Sequence, residues 1–230
     1  MSKILALDTA TDACSVALNI NGVITEEFAV VAREHTQRLL PMVHSVLSQQ
    51  NCSLQDLDAI AFTRGPGSFT GVRICLGIVQ GLAFGANLPV IPISTLAVMA
   101  EGVRRLESQA QNRRLLLALD ARMGEVYWCA FDAQGRAGEE CVISPEALLE
   151  RRELWAESSS ALAIGPGWHY EAMNGIEREA LILECHPRAY DLASLASLAY
   201  ERGETVSAEM AQPVYLRDTV SWKKRQKKRQ

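Results

Sequence analysis

No C-x-x-C pair occurs in this 230-residue chain, whose six cysteines (Cys14, Cys52, Cys75, Cys129, Cys141 and Cys185) are scattered. That spacing speaks against a zinc ribbon or a disulfide scaffold and fits a reducing compartment. The four histidines, His35, His44, His169 and His186, include no pair three or four residues apart. No helix therefore offers two imidazoles to one metal, and no metal site is expected. A G-x-S-x-G elbow is also missing, which leaves an ordinary serine hydrolase without support. No basic and apolar leader opens the chain, because "MSKILALD" reads as the first strand of a fold. A cytoplasmic protein is expected.

Charge is absent from Ile74 to Ala100, but Gln80, Gly85, Asn87, Pro89 and Pro92 interrupt that run. A membrane span needs ~20 mostly apolar residues in one helix, so no membrane association is expected. The net charge is −4, yet six of the last eight residues, "KKRQKKRQ", are Lys or Arg, leaving −10 on the rest. An acidic body holds a polyanion poorly by itself. The basic end, 223–230, reads as a disordered, solvated tail or as a nucleic-acid contact.

What is present is a repeat. "LALD" ends at Asp8 and again at Asp120, and Gly-Pro-Gly starts at Gly65 and again at Gly165. Between these marks each half reads strand, strand, strand, helix, strand. Asn21-Gly22 and Met123-Gly124 supply tight turns, and Ser144 with Pro145 supplies a helix start. Two matches in one order indicate an internal duplication. The fold class expected is α/β, with two duplicated lobes, each a mixed sheet covered by helices. Two such halves facing a cleft resemble the actin-type ATPase and sugar-kinase superfamily, which implies an actin-like, sugar-kinase-type fold. The second lobe is truncated, because 65 residues follow Gly165. The lobes are placed at 1–108 and 109–222, with the polar stretch Glu107 to Arg114 between them and the terminal segment free to pack back on the first lobe.

Two loops face the expected cleft. "DTATDACS" has no glycine, so its backbone is held off a phosphate. Asp8, Thr9, Thr11 and Ser15 carry oxygens suited to a magnesium-bound phosphate, but short polar side chains also bond within their own turn. Gly65, Gly67 and Ser68 of "RGPGSFTGVR" suit an anion at a helix start, with Arg64 and Arg73 near. A plain strand-to-helix connection is the equal alternative.

The next helix carries Gly77, Gly81 and Gly85 four residues apart. Each interior glycine costs about 0.5–1 kcal/mol relative to alanine, a cost offset if another backbone approaches closely. With Ile74, Ile78 and Leu82 taken to lie opposite, the helix is apolar nearly all round and should be covered on both sides. Packing within the chain competes with a protein–protein interface; the interface is favoured, with "HTQRLLPMVHSVL" as the neighbouring helix. Leu39, Val43, Val46 and Leu47 form a stripe on that neighbour.

"DTATDACSVAL", "REHTQRLLP", "RGPGSFTGVRICLGIVQGLAFG", "LDARMGEVYW" and "PVYLRDTVSWKK" together resemble the bacterial TsaB (YeaZ) family, paralogous to TsaD, over nearly the whole chain. The resemblance implies a non-catalytic partner of TsaD, working with the ATPase TsaE. Threonylcarbamoyl would pass from threonylcarbamoyl-AMP to N6 of the adenosine beside the anticodon, in tRNAs reading codons that start with A. It implies a heterodimer with TsaD, a homodimer in its absence, and tRNA reached through the complex. No cofactor is implied for the isolated chain; ATP or ADP with magnesium belongs, if anywhere, to the interface between the two proteins. His35, Leu39, Val43, Val46, Arg73, Gly77, Gly81 and Gly85 would form that interface. Thr95 and Met99 fall where TsaD has its two metal-binding histidines. The alternative in the same superfamily is a small-molecule kinase or a metallopeptidase-like hydrolase.

Overall fold

A computed structural model describes residues 2–31, 33–156 and 159–217. The basic end at 223–230 lies outside the described residues. The first lobe opens with β1 (Lys3–Asp8), β2 (Ala13–Ile20) and β3 (Val23–Val30), joined as an antiparallel meander. Asn21 and Gly22 turn the second hairpin with left-handed φ of 55° and 93°, the conformation that an Asn-Gly pair accommodates. The helix α1 (His35–Gln49) precedes β4 (Ala59–Thr63), α2 (Phe69–Ala86), β5 (Val90–Ile93) and α3 (Thr95–Leu106). β4 and β5 join the sheet in parallel, giving the order β3-β2-β1-β4-β5.

The second lobe repeats the plan with β6 (Leu115–Asp120), β7 (Val126–Phe131), β8 (Cys141–Ile143), α4 (Pro145–Glu150), β9 (Leu162–Ile164) and β10 (Ala180–Ile182). Its order, β10-β9-β6-β7-β8, is the first sheet strand for strand, with the same parallel and antiparallel pairs. The truncation is local. Where the first lobe has the 18-residue α2, the second has two short 3₁₀ turns at Pro166–His169 and Glu171–Gly175.

The final helix, α5 (Ala189–Glu201), crosses back to the first lobe. Its Ala189, Leu192, Ala193, Ala196 and Ala199 are buried with Ile4, Ala6, Ala17, Ala59 and Ala61 of the first sheet. Small side chains on both surfaces let helix and sheet approach closely. In exchange, α3 gives Leu96, Met99, Ala100 and Val103 to the core of the second sheet, with Leu115, Leu117 and Leu119. Asp191 (1% exposed) anchors α5 to α3 through two bonds from Arg105, at 2.7 and 3.0 Å. The segment after α5 then runs across α2 and into the mouth of the cleft.

Candidate functional site

The expected phosphate turn is sealed. Asp8, at the end of β1, and Thr9 are both 0% exposed. One carboxylate oxygen of Asp8 accepts from Thr63 Oγ1 at 2.5 Å and from the Ala10 amide at 3.3 Å; the other, buried, has no partner. Burial outweighs these two bonds and pushes the acid up from 3.8 to about 7, the direction desolvation dictates. The seal is the Gly-Pro-Gly loop. The Ser68 amide donates to Ala10 O at 2.7 Å, and Thr9 Oγ1 donates to Gly71 O at 2.7 Å. A Cβ on Gly67 would lie 2.4 Å from Ala10 O, and one on Gly71 would lie 2.0 Å from Thr9 O. The glycines of this loop are thus required by the close approach of two protein backbones.

Burial argues against the phosphate reading for Asp8, Thr9 and Gly65, while Thr11, Gly67 and Ser68 line the interlobe cleft. In the direction a Cβ would take, Gly67 closes on the turn at Ala10. Ser68 accepts from the Gly71 amide at 3.2 Å and so caps α2, the ordinary work of a serine at that position. Thr11 accepts from the Ala13 amide at 3.2 Å, which is turn bonding. Ser15 is buried and accepts from the Ala189 amide at 2.9 Å, fixing α5 to the sheet.

α2 is covered on one side only. Val72, Cys75, Val79 and Ala83 are buried against the first sheet, while Phe69, Thr70, Arg73, Gly77, Gly81, Phe84 and Gly85 are exposed. A Cβ added at Gly77, Gly81 or Gly85 would meet nothing within 4 Å. Among the described residues the glycine row therefore faces open space, and packing of that side within the chain is not seen. Ile74, Ile78 and Leu82 are partly buried against the first-lobe core and flank the row; the expectation that they lie opposite is corrected by geometry. At 100° per residue they sit about 60° from the glycines. By length and composition α2 is apolar enough to cross a membrane; here it lies along the first sheet.

α1 lies beside α2, but its expected interface residues point inward. Leu39 and Val46 are 0% exposed, Val43 is 4% and His35 is 8%. Leu39, Val43 and Val46 belong to the core under β1 and β2. His35 Nε2 bonds to Thr11 O at 2.9 Å and Ala13 O at 3.2 Å, holding the sealed turn. The outward stripe of α1 is Gln37, Leu40, Pro41, His44 and Ser48. Sequence reasoning followed the more apolar stripe, which is the buried one; the outward stripe has the same helical spacing. Pro41 sits inside the helix, in its second turn, on this exposed side.

At the N-terminal end of α2, the guanidinium of Arg73 stacks 3.2 Å over the Phe69 ring and 4.8 Å from the Tyr215 ring. Beyond them opens an interlobe cleft of about 540 Å³, walled by Thr11, Ser68, Asp120, Tyr127, Tyr215 and Arg217 among others. Asp120, the second-lobe counterpart of Asp8, is half-buried and accepts from Tyr170 Oη and Arg122 Nη1, both bonds occupying its oxygens. Thr95 and Met99 are fully buried, Met99 in the core of the second sheet. Among the described residues no three His, Cys, Asp or Glu side chains converge on a metal-sized site.

Repeated sheets of identical order, crossed by α3 and α5 around one cleft, define a two-lobed protein of the actin-like, sugar-kinase type. A family model described as "TsaD: tRNA N6-adenosine threonylcarbamoyltransferase" matches residues 15–174. The chain is 45% identical to the tRNA threonylcarbamoyladenosine biosynthesis protein TsaB of Escherichia coli, over 96% of this chain and 97% of that protein. It is 40% identical to the TsaB protein of Haemophilus influenzae, over 96% of each. A solved structure described as YeaZ from Pseudomonas aeruginosa is 44% identical and superposes with a TM-score of 0.84, covering 94% of this chain and all of that one. The chain belongs to the TsaB family, within the larger family that the TsaD model describes.

Proposed function

We propose that this chain is a non-catalytic subunit in the synthesis of threonylcarbamoyladenosine on tRNA, acting as the partner of a TsaD-type paralogue together with TsaE. The companion transfers threonylcarbamoyl from threonylcarbamoyl-AMP to N6 of the adenosine beside the anticodon; this chain holds the companion in its working conformation. The observation that carries the reading is the bare glycine row of α2, open along its length, on a helix packed beside α1, whose exposed side carries Leu40, Pro41 and His44. Its surface lets a helix of the companion approach backbone to backbone, as small-residue helix contacts do. The burial of Asp8, which pushes its acid up to about 7, supports the second half of the reading, since a carboxyl without solvent access is poorly placed to take up hydrated magnesium. The same face pairs two copies of this chain when the companion is absent.

The test is Gly81→Leu in the full chain. Co-purification with TsaD and stimulation of tRNA modification in a reconstituted assay should both fall at least tenfold, with the melting temperature of the isolated chain little changed. Undiminished binding by a folded Gly81→Leu protein removes the docking face from α2. Calorimetry with ATP and magnesium tests the non-catalytic half: binding by the isolated chain that Asp8→Asn abolishes would restore a kinase-type site.

A further inference from the structure

The chain crosses between its lobes a third time, after α5, by a segment whose regular structure is a bridge at Val206 and one 3₁₀ turn, Ala208–Met210. Gln80 Nε2, on α2, donates to the carbonyls of Ala208 and Ala211 at 3.2 and 3.1 Å. The Val214 amide then donates to Arg64 O at 2.8 Å, just ahead of the Gly-Pro-Gly loop. Tyr215 follows, its ring 6.3 Å from that of Phe69 and beside the Arg73 guanidinium. Arg217 ends on the other lobe. It pairs with Glu125 through Nε at 3.0 Å and through Nη2, and donates to Ala121 O at 3.1 Å and Arg122 O at 3.4 Å. Its side chain is only 20% exposed.

The receiving turn is unusual. Arg122 and Met123 both have left-handed φ, 62° and 59°, a conformation that costs a side-chain-bearing residue of order 1 kcal/mol and persists where its surroundings hold it. Arg217, bonded to two carbonyls of that turn and to Glu125 just beyond, is such a holder. Val214 to Arg217 also wall the interlobe cleft.

We propose that Ala211–Arg217 is a clasp. It spans the mouth of the cleft and ties the N-terminal end of α2 to the β6–β7 turn of the second lobe, with Arg217 as the positioning residue. Because Tyr215 shares its cation–π contact with Arg73, a partner covering the α2 face acts on the clasp; this coupling rests on the docking reading above. Coupling runs both ways, so a closed clasp and an occupied α2 face favour each other by the same factor.

Amide hydrogen exchange on the full chain tests the clasp without any partner. In Arg217→Ala, the Val214 amide and the amides of Ala121 and Glu125 should exchange at least tenfold faster, while those of β1 and β4 keep their wild-type rates. Glu125→Gln keeps the carbonyl contacts and should give an intermediate acceleration at the same sites. Combining the two should add little to Arg217→Ala alone, as for groups in one network. Unchanged exchange at Val214, or equal acceleration throughout β1 and β4, overturns the clasp. Added TsaD should slow Val214 exchange in the wild type severalfold, and an unchanged rate in a formed complex refutes the coupling. If wild-type protein does not bind TsaD, the docking reading fails and the isolated-chain result alone decides the clasp.

Discussion

Replacing Asp8 with Asn should make the protein more stable in mild alkali. Asp8 is 0% exposed and its acid lies at about 7 in the folded chain, against 3.8 for the free side chain, mainly because burial penalises the charge. Between those two pH values the native state retains a proton that the unfolded chain has released. Stability therefore falls as pH rises through this window and levels off above about 7. A difference of about three pH units corresponds to roughly 4 kcal/mol at most. Asn has the shape of the protonated acid and cannot ionise. Its oxygen can accept from Thr63 Oγ1 and the Ala10 amide as Asp8 Oδ1 does, and its amide replaces the oxygen that has no partner. Urea unfolding of both proteins from pH 4 to 8.5 isolates this site, since every other group titrates alike in the two. The two should match within about 1 kcal/mol near pH 4, and the Asn variant should lead by ~2–4 kcal/mol at pH 8. Parallel curves, or a wild type that gains on the variant as pH rises, would show that Asp8 is ionised in the fold and refute the sealed-turn argument.

The two classes of glycine should respond oppositely to alanine. Gly77→Ala places a methyl in open space, so helix propensity should stabilise the isolated chain by about 0.5–1 kcal/mol while TsaD binding weakens; a lowered melting temperature contradicts the open face. Gly71→Ala drives a Cβ to 2.0 Å from Thr9 O and should cost about 1–3 kcal/mol or more, read by the same melt. On α1, Leu39→Ala should cost about 2–5 kcal/mol because Leu39 is fully buried. Leu40→Ser, half-exposed one residue away, should change stability by under about 0.5 kcal/mol yet reduce co-purification with TsaD; equal stability losses for the pair would reverse the assigned faces.

The architecture was legible because duplication is a pattern in the chain itself. The spacing of Asp8 to Asp120 and Gly65 to Gly165 stated the repeat before any strand was placed, and the two sheets share one strand order. β10 escaped notice because Ala180–Ile182 is three residues among charged neighbours, too short to show a period. The surface was harder to read than the fold. A helix that lies on a sheet and also docks a partner carries two useful stripes, and hydrophobicity ranks the buried one first. On α1 this selected Leu39, Val43 and Val46 over Leu40, Pro41 and His44. On α2 the signal was of another kind, because glycine marks a place where something comes close without saying what. At Gly67 and Gly71 the close neighbour is the chain's own β1–β2 turn. At Gly77, Gly81 and Gly85 no described residue outside the helix's own turn comes within 4 Å of a Cβ. One row of glycines is thus already used in folding, and the other is left over after folding is complete. That difference, invisible in the sequence, separates the glycines that close the lobe, Gly67 and Gly71, from the row on α2 that the proposed function gives to a second protein.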